Sequence, residues 1–332
     1  MKRIYVCVDS RNPYNSVYQQ TMLLVERLES IYSIKIPLLD FKGLQLHLNK
    51  KDEILLFPYE CFNFKLLVCP RINNVVFIYH NITPAQFFWK SEPHVAIRSI
   101  MGRIQLRLLK YRVKQWLAVS EYNKKELEDI GIKNVILCSN LIKPVRCSCE
   151  KTTEPSLLYV GRIAQNKRCL ELLRIVKTIS NKLNKQITLY IVGSGKKNTV
   201  YLKQFQQCVD ENSNGNLKVK WMKGLTEEEL SALYQHCWLY ISLSKHEGFG
   251  LPVCESINNG TPAIYTKCGG QEMLLSNIGL SSDEQMPQRV VELLSDKTKL
   301  QALQKEQKEL IKKITIPNYD CKIEEIFNEL IL

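Results

Sequence analysis

The chain alternates short apolar runs with amphipathic stretches of helical spacing, and it does so twice. The first series is IYVCV at 4–8, EILLF at 53–57, VVFIY at 75–79, WLAV at 116–119 and NVILC at 134–138. Short continuous apolar runs separated by helix-length segments predict strands of a parallel sheet covered by helices on both faces. Between Pro144 and Pro155 (PVRCSCEKTTEP) the period disappears, which marks a domain boundary. The pattern then resumes with SLLYVG at 156–161, ITLYIVG at 187–193, LKVKWM at 217–222, WLYISL at 238–243 and PAIYT at 262–266.

We therefore expect an α/β chain of two Rossmann-like, doubly wound parallel-sheet domains, residues 1–148 and 149–317. Open sheets of this kind bind ligands beyond the carboxyl ends of their strands, so two of them facing each other imply a central cleft. Thr226 and Glu229 form a T-x-x-E capping box that should open a helix ending near His236. Lysine-rich helices are expected over 285–313, and Pro317 breaks the pattern before a last amphipathic helix at about 318–332 that should pack back on the first domain.

With 332 residues, 45% of them hydrophobic, the chain can bury two cores. No apolar run is long enough to cross a bilayer, and the start MKRIYVCVDSRNP is too short for a signal-peptide core; a cytoplasmic protein is expected. None of the twelve cysteines falls in a C-x-x-C pair, and Cys7, Cys138 and Cys237 sit in or beside apolar runs, so they read as small core hydrophobes. Cys147 and Cys149 are the one close pair. The net charge of +13 calls for an acidic partner: a nucleoside diphosphate, an anionic lipid surface or a nucleic acid. No aromatic–basic sheet motif or recognition helix supports the last.

The segment from Ile97 to Lys114 places Ile97, Ile100, Met101, Ile104, Leu108 and Tyr111 on one helical face and Arg103, Arg107, Lys110 and Lys114 on another. It reads either as a core helix with a solvated basic face or as a basic stripe for an anionic membrane surface. Both readings assign the apolar face to the domain core.

The richest loop follows the WLYISL run and spans Ser244 to Glu255 (SKHEGFGLPVCE). Pro252 suits the start of a helix, where its missing N–H would have no partner. Gly248 and Gly250 allow the backbone to approach a ligand, and the free N–H groups of the helix start would converge on an anion. Glu255, one turn in, leans back toward that point and suits a ribose diol, whereas Glu247 precedes the helix. Gly193 and Gly195 invite a dinucleotide reading, but the third glycine of G-x-G-x-x-G is missing.

Glu247 and Glu255, enclosing G-F-G-L-P, reproduce the E-x7-E motif of retaining glycosyltransferases of the GT-B fold, and the chain resembles glycosyltransferase family 4. LLYVGRIAQNK is similar to the strand and loop whose cations, here Arg162 and Lys167, neutralise the donor diphosphate. GTPAIYTKCGGQEML, with Glu272, resembles the strand and glycine-rich turn after the motif. VFIYHNITP is similar to an acceptor-domain strand ending in a histidine, here His80, and WLAVSEYNKKEL to the strand and helix that follow. The likeness runs from about residue 75 to 275. It departs at the first loop, where many members carry a glycine pair and this chain has Arg11, Asn12, Pro13, Tyr14, Asn15 and Ser16.

The resemblance implies transfer of a hexose or N-acetylhexosamine from a nucleoside diphosphate sugar, with a UDP- or GDP-sugar as donor and a saccharide or lipid-linked saccharide as acceptor, with retained configuration. It implies no cofactor and no metal, and no D-x-D is present. It assigns Glu247 and His80 to catalysis, Arg162, Lys167, Gly250 and Leu251 to the diphosphate, and Glu247, Gly248 and Phe249 to the sugar. Glu255 falls to the ribose. Gly193, Lys223 and Leu225 fall on the base side, and Asn15, Ser16 and Asn81 on the acceptor side. Surface polysaccharide or lipopolysaccharide synthesis, on the inner face of a membrane, is the implied setting. The alternative is a non-catalytic subunit of the same fold, for which Arg162, Lys167, Glu247 and Glu255 need not occur together.

Overall fold

A computed structural model describes residues 2–8, 15–67, 69, 72–145, 148–197, 199–212 and 215–331; loop residues 11–14 and Cys147 lie outside them. The chain divides into two compact units, residues 1–141 with 314–332, and residues 142–313.

The first unit runs β1 (Arg3–Cys7), α1 (Ser16–Tyr32), β2 (Leu38–Leu39), α2 (Phe41–His47), β3 (Glu53–Tyr59), β4 (Val75–Tyr79), α3 (Pro93–Leu109), β5 (Gln115–Ala118), α4 (Glu121–Asp129) and β6 (Val135–Leu137). Its six-stranded sheet is parallel throughout, in the order β2-β1-β3-β4-β5-β6. All five residues of β4 are buried, as expected for a strand covered on both faces. Phe77 at its centre packs on Phe57, Tyr59 and Trp116 at ring distances of 5.2, 5.7 and 5.1 Å. The two-residue β2 was not anticipated, since so short a strand shows no period.

Helix α3 departs from expectation. Its buried residues are Ala96, Ser99, Gly102, Gln105, Leu106 and Leu109, and the apolar face assigned to the core is exposed. Hydrogen bonding explains the choice of face. Tyr59 Oη donates to the Gly102 carbonyl (3.1 Å) and to Gln105 Oε1 (3.0 Å), and the Gln105 amide bonds both the N–H and the carbonyl of Asn63. Meeting those buried polar groups requires close approach, and a Cβ at Gly102 would lie 2.9 Å from the Phe62 nitrogen. The small and polar face therefore goes inward.

The second unit runs β7 (Ser156–Val160), α5 (Cys169–Leu183), β8 (Ile187–Val192), α6 (Val200–Asn212), β9 (Leu217–Met222), α7 (Glu227–His236), β10 (Leu239–Ser242), α8 (Leu251–Asn258), β11 (Ala263–Tyr265), α9 (Gly270–Leu274), α10 (Met286–Ser295) and α11 (Lys297–Ile311). Its five strands are parallel in the order β11-β10-β7-β8-β9. The edge strand β9 alternates buried and exposed residues, with Lys218 and Lys220 outward; charged side chains on an edge discourage pairing with another chain. The capping box forms, with Thr226 Oγ1 accepting from the Glu229 N–H at 3.1 Å and Glu229 Oε2 from the Thr226 N–H at 2.8 Å. Helix α8 begins at Leu251, one residue before the proline expected to open it, with Gly250 as its N-cap at φ 91°.

The last helix, α12 (Asp320–Ile331), belongs to the first unit. Arg27 of α1 grips Asp320 with both guanidinium arms, at 2.9 and 2.5 Å, and the Tyr319 hydroxyl accepts the Ser139 N–H at 2.8 Å.

The carboxyl ends of β7 and β8 depend on a pair of glycines. Gly193 has φ 148°, and a Cβ there would lie 1.9 Å from the Gly161 carbonyl oxygen. We expect Gly193→Ala to destabilise the second unit by about 3 kcal/mol or more, since strained backbone and a backbone clash add. Gly224→Ala, at φ 68° with open space around it, should cost only about 1 kcal/mol. Urea unfolding of the two variants would check the difference.

Candidate active site

In the second sheet the strand order reverses between β7 and β10, the point where open α/β sheets bind ligands beyond the carboxyl ends of their strands. The loops that follow β7 and β10 are residues 161–168 and 243–250, the two loops singled out from the sequence. They are joined through backbone and side chain: the Lys245 N–H donates to the Asn166 carbonyl at 2.9 Å, and Lys167 Nζ lies 2.5 Å from Glu247 Oε1 and 3.4 Å from the His246 carbonyl. Both members of the ion pair stay partly accessible, at 13% and 22%.

A third loop completes the floor. The Glu247 N–H donates to the Cys268 carbonyl (2.9 Å) and the Gly270 N–H to the Glu247 carbonyl (2.8 Å). A Cβ on Gly270 would lie 2.3 Å from the Gly248 oxygen, and one on Gly250 would lie 2.7 Å from Gln271 Cβ. Only glycines let these two loops stack so closely. Glu272 faces inward, accepting the N–H groups of Cys268 and Gly269 at 2.8 Å each, so it holds the turn rather than a ligand.

Above this floor the start of α8 presents anion-binding groups. The N–H groups of Gly250 and Leu251 have no acceptor among the described residues, while those of Val253 and Cys254 turn back to the Gly250 carbonyl. Free N–H groups and the positive helix end attract negative charge. Phe249 is buried beneath. Arg162 is exposed, and its guanidinium has no partner among the described residues. The neighbouring Arg168, by contrast, is consumed by a two-armed ion pair with Asp283 at 2.8 and 2.5 Å, which raises the arginine's pKa and lowers the aspartate's.

Glu255 lies one turn into α8 as expected from its spacing. Its Oε2 accepts the Tyr234 hydroxyl at 3.0 Å. Burial pushes its carboxyl up to about 7, against a smaller downward pull from the Tyr234 hydrogen bond, although the residue as a whole keeps some surface exposure. Among the base-side residues, the carbonyl of Gly193 accepts from the Trp221 indole (2.8 Å), Lys223 lies 3.7 Å over the Trp221 ring, and Leu225 is half-buried just ahead of α7. The 193–195 turn pairs with the Arg162 loop through the Ile163 N–H and Ser194 carbonyl (3.0 Å).

The first unit does not gather its named residues into one cluster. The His80 imidazole lines a small pocket with Gln20, Thr21, Cys138, Ser139 and Asn140. Its Nε2 is buried with no partner among the described residues, and burial drives its pKa down to about 3, so it serves as a neutral donor or acceptor. Asn15 caps α1, accepting the Val17 N–H at 2.7 Å, and donates to Glu60 at 3.2 Å; with Tyr18 and Tyr59 it lines another pocket. Ser16 is the first residue of α1. Asn81, at φ 81°, is buried and donates to Asn123 Oδ1 and Glu126 Oε2, both at 2.9 Å, which makes it a structural strut of the β4–α4 corner. Tyr234 and Asp283 were not found from the sequence. Their roles depend on partners 21 and 115 residues away, and no local pattern encodes those.

Two parallel α/β units with this site define a GT-B fold. Sucrose-phosphate synthase (tll1590) from Thermosynechococcus elongatus superposes with a TM-score of 0.78 over 99% of both chains at 14% identity. The Anabaena protein HepE in complex with UDP and glucose does so at 0.73, over 99% of this chain and 100% of that one, at 13% identity. Residues 148–314, half of the sequence, match the family described as "Glycosyl transferases group 1", and the chain belongs to that family. Escherichia coli WbnH, an O-antigen biosynthesis glycosyltransferase, is 32% identical over 170 residues, 50% of this chain and 45% of WbnH. The chain spans less than half the length of the first curated relatives it matches.

The Glu255 carboxyl sets a pH dependence. The folded protein holds this proton more tightly than the unfolded chain, whose ordinary value is 4.5. The stabilisation is therefore complete below that value and is lost as pH rises toward about 7. We expect the urea midpoint of the ligand-free protein to fall between about pH 5 and about pH 8, and Glu255→Gln to flatten that part of the profile. An unchanged slope in the variant would assign the dependence elsewhere.

Proposed function

We propose that this chain is a retaining, metal-independent glycosyltransferase of family 4 that moves a hexose or N-acetylhexosamine from a nucleoside diphosphate sugar to a saccharide or lipid-linked saccharide. The observation that carries the reading is the Lys167–Glu247 contact, at 2.5 Å, beside the open start of α8. A cation, a carboxylate and free N–H groups at the switch point of one sheet suit a ligand with a diphosphate and an electron-poor carbon side by side. The UDP and glucose bound by HepE are a ligand pair of that chemistry.

In this reading the α8 N–H groups and Arg162 hold the diphosphate, and Lys167 moves between Glu247 and a phosphate oxygen. The bond from the anomeric carbon to the phosphate oxygen breaks and a bond from the acceptor oxygen to that carbon forms on the same face. The acceptor proton passes to a phosphate oxygen. Stabilising the leaving charge with preorganised donors is worth several kcal/mol in such sites. Glu247 orients the sugar hydroxyls and offsets positive charge at the anomeric carbon, and Glu255 takes the ribose. Surface polysaccharide or lipopolysaccharide synthesis is the setting suggested by relatives such as WbnH, named for O-antigen biosynthesis. Free thiols at Cys169, Cys237 and Cys254, buried in the second unit, suit a reducing, cytoplasmic compartment.

A thermal-shift screen against UDP, GDP, ADP and CMP tests the donor side. One nucleoside diphosphate should raise the melting temperature, and Arg162→Ala should weaken its binding by about ten- to a hundredfold, as expected for loss of a charge-assisted contact. Glu247→Gln should leave nucleotide binding in place and lower transfer by about 10²- to 10³-fold, with EDTA having no effect on the wild type. Stabilisation by none of the four, or wild-type transfer in Glu247→Gln, would overturn the proposal.

A further inference from the structure

The outward face of α3 is the largest feature of the first unit that the proposed chemistry leaves unused. Ile97, Ile104, Leu108 and Tyr111 are exposed by 50, 52, 55 and 80%, with Ile100 and Met101 at 39% each. At 100° per residue the five that lie within α3 form a stripe about 100° wide, the width of a surface that a helix normally buries, and Tyr111 follows just past the helix end. From Ile97 to Leu108 the stripe runs about 17 Å along the helix. Trp89, 48% exposed, precedes the helix.

The charges beside the stripe have one sign. Arg98, Arg103, Arg107, Lys110, Arg112 and Lys114 fall in this stretch, and no acidic residue occurs between Glu92 and Glu121. Arg103 is engaged with Glu126 (2.6 Å), and Lys110 donates to the Ile130 carbonyl (3.1 Å) while lying over the Tyr111 ring. Arg107, on the shoulder of the stripe, is exposed with no partner among the described residues. A second copy of this helix would bring cations against cations, with no acid of its own to answer them. An anionic lipid surface supplies both what the apolar stripe lacks and what the arginines lack: acyl chains for Ile, Leu and Met, phosphate for the guanidinium groups, and a polar–apolar boundary for Tyr and Trp.

We propose that α3, with Trp89, docks the first unit on a membrane carrying anionic phospholipid, the helix lying in the plane of the interface. No helix among the described residues is long and apolar enough to cross a bilayer, which agrees with a helix that lies on the membrane. The docking is independent of the transferase reading, because it uses no residue of the candidate site. It would confine the protein to the leaflet that carries the charge.

Flotation of the full chain with phosphatidylcholine vesicles, with and without phosphatidylglycerol, tests it. The wild type should float with the anionic vesicles and be released by salt. The double variant Ile104→Asp and Leu108→Asp, at positions already in solvent, should partition at least about tenfold less, with unchanged circular dichroism and melting temperature. Arg107→Glu should lose binding to anionic vesicles alone. Equal flotation of wild type and the double variant, or no flotation of the wild type, would overturn the proposal. So would a wild-type dimer in sedimentation equilibrium that the double variant dissolves, since the face would then belong to a second copy.

Discussion

The contact between Lys167 and Glu247 depends on how closely three loops can be stacked. Each loop follows a strand of the second sheet, and the ion pair closes at 2.5 Å above a place where backbone lies directly on backbone. Gly270 sits where any side chain would strike the Gly248 oxygen, and Gly250 where one would strike Gln271. The carboxylate, the ammonium and the start of α8 are thereby set by main chain rather than by flexible side chains. Main-chain groups set this way, the N–H groups at the start of α8 among them, need little reorganisation when charge moves in the site.

That dependence on backbone is also why the second unit could be read from its sequence and parts of the first could not. Glycine and proline between Glu247 and Glu255 state a conformational demand in one-letter form, and the apolar runs on either side give the strands that carry the loops. Ten of the eleven strands match expected runs to within two residues at each end. The one-residue difference at the start of α8 follows from Gly250 taking the cap position itself. Pairings between distant residues leave no such trace. Arg168 looks as available as Arg162 in the sequence, yet Asp283, 115 residues on, occupies it, while Arg162 stays open.

Helix α3 shows the opposite limit. Its periodicity marks one apolar face, and burial of that face is the ordinary outcome. The deciding information lay in the residues that looked least informative, Ala96, Ser99, Gly102 and Gln105, because buried polar groups at Tyr59 and Asn63 need partners and admit only a small, hydrogen-bonding surface. An unpaired buried amide or hydroxyl costs roughly as much as burying a large aliphatic side chain gains. The helix therefore turned its polar face inward, and its apolar face remained for something other than the core.

The charges of the candidate site, taken together, are arranged for a ligand whose charges separate. Arg162 and the N–H groups of Gly250 and Leu251 are unanswered on one side. Among the described residues the Glu247 carboxylate is answered by Lys167 alone, a side chain long enough to leave it. Glu255 has its carboxyl pushed up to about 7 by burial; on the proposed reading, ribose hydroxyls donating to it favour the ionised form. On the proposed chemistry the phosphate gains negative charge as the anomeric carbon loses electrons. Lys167 then gains by shifting toward the phosphate, and Glu247, released, gains by facing the carbon. Lys167 already meets a charged diphosphate when the donor binds, and both rearrangements gain further as charge separates, so the two side chains that neutralise each other without ligand would stabilise opposite ends of the transition state.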